Sequence, residues 1–191
     1  MIDECGKLTL PQRVFWDVDK AVAKLYEELN IKSVPIDPFA IAKALNIKVQ
    51  PYSEFSEEIL QKLVKISQDG FGFFDIEENR YVILYDDVNN CKARQRFTIM
   101  HEIGHIVLGH KVDSPLAEVL ANAFASYALA PSPIIHMLVF DSYLDFMSIF
   151  NISNEGAYYT FIRYKQWTHQ IEQRALFDFE IKLMERFNCK K

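Results

Sequence analysis

The chain has 191 residues, 50% of them hydrophobic, enough to bury a sizeable core in one domain. Its 21 basic and 26 acidic residues leave a formal net charge of −5, the wrong sign for a nucleic-acid-binding surface. Cys5, Cys91 and Cys189 are odd in number, far apart and in no CxxC pair, which argues against a disulfide framework and for free thiols in a reducing compartment.

The opening MIDECGKLTL carries acids where a secretory signal needs a basic region and an apolar run. Residues 17–30 place Val18, Val22, Leu25 and Leu29 at helical spacing. Asp37 and Pro38 form an N-cap and first helical position for a short helix, FAIAKAL, which stops near Asn46. A short strand at 47–50 follows, then a polar segment to Gln68. FGFFDI and RYVILY flank Glu77, Glu78 and Asn79 and predict an antiparallel hairpin. A helix with an asparagine cap then runs through Leu108, and Gly109 suits the left-handed residue that closes it.

Ser114 and Pro115 restart a helix that ends near Pro131. Residues 119–140 contain no charged side chain, long enough for a membrane span, but Asn122, Pro131, Pro133 and His136 interrupt them. A buried helix followed by a proline-marked turn fits better, and the expectation is a soluble cytoplasmic protein. Residues 134–187 read as helices with a break near 150–154. The fold class is α+β, with a sheet of about three strands, antiparallel or mixed, ahead of a helical majority.

His101-Glu102-Ile103-Gly104-His105 is an HExxH motif. Residues four apart on a helix differ by about 40° around the axis, so both imidazoles project toward one ion, with Glu102 on the adjacent flank. The spacing suits zinc, which lowers the pKa of a bound water to roughly 7. It also makes this a zincin-type active-site helix for the sheet to pack on. Phe97, Ile99, Ile103, Ile106, Val107 and Leu108 make the helix apolar on most sides, and buried polar groups there need partners.

An extended zincin pattern would put a third histidine six residues after His105. His110 is five after it, points away if the helix continues, and is expected to be an exposed residue beyond the cap. Glu118 on the next helix is the favoured third ligand, completing a two-histidine, one-glutamate site with water in the fourth position. Asp113, in the intervening loop, is the alternative. Ala121 and Ala125 let that helix approach the HExxH helix, and Asn122, one turn after Glu118, can hydrogen-bond a ligand and orient it.

RFTIMHEIGHIVLGH followed by EVLANAFASYALAP resembles the ImmA/IrrE metallo-endopeptidases, which are gluzincin-like HExxH zinc peptidases. VPIDPFAIAKALNIKV and GFGFFDIEENRYVILYDD extend the resemblance, which covers roughly residues 33–131 well and the C-terminal third loosely. It implies zinc on His101, His105 and Glu118, with Glu102 as general base. Leu120 replaces an acid common in the family, and Ala128-Leu129-Ala130-Pro131 replaces its usual Leu-Leu-Met-Pro ending. Neither change touches a ligand. The implied organisation is a single domain over 1–191, with a zincin-like core at 1–132 and a helical subdomain at 133–191.

The resemblance also implies the substrate, a helix-turn-helix transcriptional repressor encoded nearby, in the setting of mobile elements, phage or stress responses. The leading expectation is thus a zinc-dependent endopeptidase. The other is a zinc-binding antirepressor or sensor that sequesters its regulator without cutting it. Residues 150–167 can be read as a DNA-binding helix pair, but residues 141–191 carry seven basic and seven acidic side chains, so no direct nucleic-acid contact is expected. Tyr127, His136 and Tyr158 are equivalent candidates for stabilising an oxyanion. The strand at 80–85 is a candidate edge for an extended substrate.

Overall fold

The computed structural model describes residues 11–112 and 114–188. Helix α1 (Gln12–Glu28) buries Val18, Val22, Leu25 and Tyr26, the stripe its spacing predicts. Helix α2 (Pro38–Ala44) starts at Asp37, whose side chain accepts a hydrogen bond from the Phe39 amide at 3.0 Å; such a cap contributes about 1 kcal/mol. Strand β1 (Lys48–Pro51) leads through a 3-10 turn (Tyr52–Glu54) into helix α3 (Glu57–Ile66). The polar reading of this stretch misses α3. Its signal is Ser56 before two acids, then Leu60, Leu63 and Val64 at helical spacing.

Strands β2 (Gly70–Asp75) and β3 (Arg80–Tyr85) form the expected hairpin. The sheet is mixed, in the order β1-β3-β2, with β1 parallel and β2 antiparallel to β3. Strand β3 is therefore central, and its Val82, Ile83, Leu84 and Tyr85 are buried. This corrects the expectation that it offers an edge: both its sides are paired, and the outer strand on the hairpin side is β2.

Helix α4 (Lys92–Val107) packs on one face of the hairpin, burying Ile99, Met100 and Ile103 in a core that includes Ile83. Its N-cap is Cys91, with no side-chain cap bond, rather than an asparagine. The Cys91 thiol is free and exposed, while Cys5 and Cys189 lie outside the described residues. On the other face, Tyr52, Leu63, Val82 and Leu84 form a second cluster beneath α3.

Helix α5 (Pro115–Leu129) starts at Ser114, whose hydroxyl accepts from the Ala117 amide at 3.1 Å. The uncharged run is divided between α5 and α6 (Ser132–His136), and no described helix is long and apolar enough to cross a membrane. Helices α7 (Asp145–Phe150), α8 (Asn154–Ile171) and α9 (Asp178–Asn188) follow. The break after α7 is a left-handed Asn151, φ 53°. Phe150 and Ala157 flank that break fully buried, so the α7–α8 pair packs into the core.

The buried Arg96 and the half-buried Arg163 hold the helical part to α4 and α5. Arg96 on α4 donates to the Asn151 carbonyl at 3.1 Å and to that of Ile36. Arg163 on α8 donates to Ser126 Oγ at 2.7 Å and to the Ala130 carbonyl, while Tyr26 on α1 donates to the Ala128 carbonyl. The end of α5 is thereby fixed from two sides, and hydrogen bonds from a charged donor contribute about 1.5–3 kcal/mol each.

Candidate metal centre

Helices α4 and α5 meet at Gly104. A Cβ there would stand 3.0 Å from the Phe124 ring, and Ala121 and Ala125 are fully buried beside it. Small residues thus let the two backbones approach, which brings Glu118 within reach of both histidines. His101 Nε2 and His105 Nε2 are 3.0 Å apart. Glu118 lies 3.4 Å from the first through Oε2 and 3.2 Å from the second through Oε1. Among the described residues, these three form the group of metal-ligating side chains whose donor atoms converge. Asp113, the alternative ligand, lies outside the described residues.

The donor set fits a zinc-sized ion. Zinc–nitrogen bonds of 2.0–2.1 Å in tetrahedral geometry put neighbouring donors about 3.3 Å apart; the two imidazole nitrogens, 3.0 Å apart, are near that spacing, and the Glu118 carboxylate faces both with one oxygen each. The tautomers agree as well. His101 Nδ1 lies 3.0 Å from Asn122 Oδ1, an atom that only accepts. The proton therefore sits on Nδ1, and Nε2 turns its lone pair toward the other donors. Burial holds the His101 pKa below the ordinary histidine value, against the opposing pull of Glu118 and Asn122. The neutral ring is the form that binds metal.

His110 is not where the motif spacing alone puts it. Gly109 adopts φ 70°, and the chain doubles back: the His110 amide bonds the His105 carbonyl at 3.0 Å and the Gly109 amide that of Ile106 at 3.1 Å. This is a Schellman closure. It carries His110 back over the last turn, half-buried, with its Nδ1 3.1 Å from His105 Nδ1. His110 is not among the converging donors, yet neither is it an idle residue beyond the cap. The glycine in the sequence already carried that signal, since a helix closed by a left-handed residue sends the next few residues back along its own last turn.

The three converging side chains sit in a groove of about 940 Å³ between α4 and β2, also lined by Glu102, Asn122, His110 and Gly72. Glu102 lies across from Gly72, where a Cβ would be 3.0 Å from its Oε2. The glycine leaves room for the carboxylate, a role that reasoning from the motif alone misses. Alternating Gly and Phe in GFGFF is the trace of it, since glycine inside a strand marks close approach. At one end, Arg94 donates to Asp69 Oδ1 at 2.7 Å and this bond holds the Asp69 carboxyl below the usual range. Tyr127, His136 and Tyr158 do not line the groove; Tyr127 is buried against Arg163, and His136 pairs with Tyr164 at 3.2 Å.

A peptidase family, described as the IrrE N-terminal-like domain, matches residues 42–190. The chain belongs to that family. The IrrE N-terminal-like match starts at residue 42, leaving out 33–41, and runs past Pro131 through nearly all of the helical C-terminal third, where the motifs resemble the family only loosely. It makes this a metallopeptidase-type domain, consistent with a His-His-Glu group able to hold a metal. No curated protein matches the chain.

Proposed function

We propose that this chain is a zinc-dependent endopeptidase whose substrate is a helix-turn-helix transcriptional repressor. The observation that carries the reading is the convergence of His101, His105 and Glu118 beside Glu102, in a groove bordered by the outer strand of the sheet. Zinc bound by those three side chains would act as a Lewis acid on a peptide carbonyl and ease deprotonation of water at neutral pH. Asn122 holds His101 in the tautomer that presents Nε2. Glu102 takes a proton from the attacking water and passes it to the leaving amine. Strand β2, the outer strand, offers main-chain groups to an extended segment of substrate.

The repressor as substrate is supported by the resemblance to ImmA/IrrE proteins and by a net charge of −5, which favours a protein partner over DNA. The test uses the regulator encoded beside this gene, at substoichiometric enzyme, with zinc-loaded wild type and Glu102→Gln. Cleavage by wild type alone, with equal zinc in both, is the expected result. If wild type leaves the regulator intact yet releases it from DNA in stoichiometric amounts, the protein is a sequestering antirepressor and the peptidase reading is wrong.

A further inference from the structure

The face of β2 turned toward α4 is built from Gly70, Gly72 and Phe74, which stand opposite Tyr85, Ile83 and Tyr81 on β3. Gly72 marks the level of the Glu102 carboxylate. Two residues further, about 6.7 Å along a strand, Phe74 and Tyr81 pack edge to face with ring centroids 5.1 Å apart. They leave 47% and 40% of their surfaces exposed. Ile106, one turn after Glu102 on α4, lines the same groove. The other side of Glu102 is polar, with Thr98 and the Asp69–Arg94 ion pair. Phe71, by contrast, packs against Tyr52, Leu63, Val82 and Leu84 on the opposite sheet face.

Phe74, Tyr81 and Ile106 thus give the groove an apolar stretch on one side of Glu102, with Val112 and Lys111 also lining it, while the ion pair and Phe97 lie on the other. A segment paired with β2 repeats its side-chain direction every second residue. We infer that Phe74, Tyr81 and Ile106 form a subsite selecting an aromatic or large aliphatic side chain, two residues along the substrate from the one lying over Gly72. Gly72 leaves room beside the Glu102 carboxylate, Gly70 is closely packed against Thr98 and the Leu84 carbonyl, and the aromatic pair supplies an apolar wall further along the strand. The inference rests on the extended-substrate reading of the groove.

The test keeps binding and cleavage apart. Zinc-loaded Glu102→Gln is equilibrated with a positional library of fluorescein-labelled, unstructured decapeptides, and retained sequences are read. Enrichment of Phe, Tyr, Leu, Ile or Met at one position is expected. Adding Phe74→Ala and Tyr81→Ala should abolish that enrichment and weaken the best peptide about 10–100-fold, the usual scale of apolar-pocket discrimination. Adding Phe74→Leu and Tyr81→Phe instead should preserve it. Undiminished enrichment in the alanine variant, no enrichment at all, or a dimer that the alanine variant dissociates would overturn the assignment. Wild-type protein given the same peptides reports separately on hydrolysis: peptides retained but never cut sink the peptidase reading and leave the subsite standing.

Discussion

The Nδ1 atoms of His105 and His110 lie 3.1 Å apart. His105 presents Nε2 to His101 and Glu118, so in the metal-binding tautomer its proton is on Nδ1 and points at His110. Burial, then the neighbouring His105, holds the His110 pKa below the usual value, which leaves that ring neutral and able to accept. His110→Ala should therefore weaken zinc about 10–100-fold, the scale for losing a group that orients a ligand, while His110→Asn recovers part of the loss. Competition with a chromogenic chelator measures this. Unchanged affinity in the alanine variant would show that the contact orients nothing.

Glu118 and Asn122 should separate in the same assay. Glu118→Ala removes a donor and should abolish tight binding. Asn122→Ala removes only the acceptor for His101 Nδ1–H, 3.0 Å away, and should cost about 10–100-fold. Equal losses from Glu118→Ala and His110→Ala would overturn the division between ligand and support. Both variants should fold, because Asn122 is exposed and the Glu118 side chain is half-exposed.

What could be read from the chain divides along physical lines. HExxH, the Ser114–Pro115 restart and the capped α2 are local signals, in which spacing or one side-chain bond decides the geometry, and each recurs in the fold. The convergence of Glu118 on the two histidines was legible because Ala121 and Ala125 announce close helix packing. Strand order was not: nothing local to RYVILY says that β1 pairs beside it, and only that pairing makes β3 central. The roles of Gly72 and His110 left only traces, in GFGFF and in Gly109, that do not name the partner. Each depends on what another element, or a reversed chain, brings opposite it.

Gly72 gives a direct probe of Glu102. A Cβ at this position would sit 3.0 Å from Glu102 Oε2 and 3.7 Å from its Cβ. The first contact is with the end of a flexible side chain, so the carboxylate moves before the backbone does. Gly72→Ala should then keep zinc affinity and melting temperature near wild type, yet lower kcat on a cleaved peptide by about 10–100-fold, the effect of misplacing a catalytic group by roughly 1 Å. An unaltered kcat would mean that the space beside Gly72 is not used in the reaction.

Far from the groove, Asp19 on α1 sets a pH dependence of stability. Burial pushes its carboxyl up to about 7, with Arg163 the chief opposing influence and Glu180 reinforcing the rise against Arg174. The folded chain therefore holds a proton that the unfolded chain releases near 3.8. Between those values the native state binds more protons than the unfolded one, so this group's contribution falls as pH rises and levels off above about 7. Asp19→Asn keeps the shape and removes the titration. Relative to wild type, its unfolding free energy should gain about 2 kcal/mol more at pH 8.5 than at pH 5.5, from roughly 1.5 pKa units at 1.36 kcal/mol each. Urea unfolding of the metal-free proteins at the two pH values measures that difference and keeps the histidine cluster's metal out of the comparison. An equal effect of the substitution at both would mean that Asp19 is ionised in the folded chain throughout, with Arg163 outweighing the cost of burial.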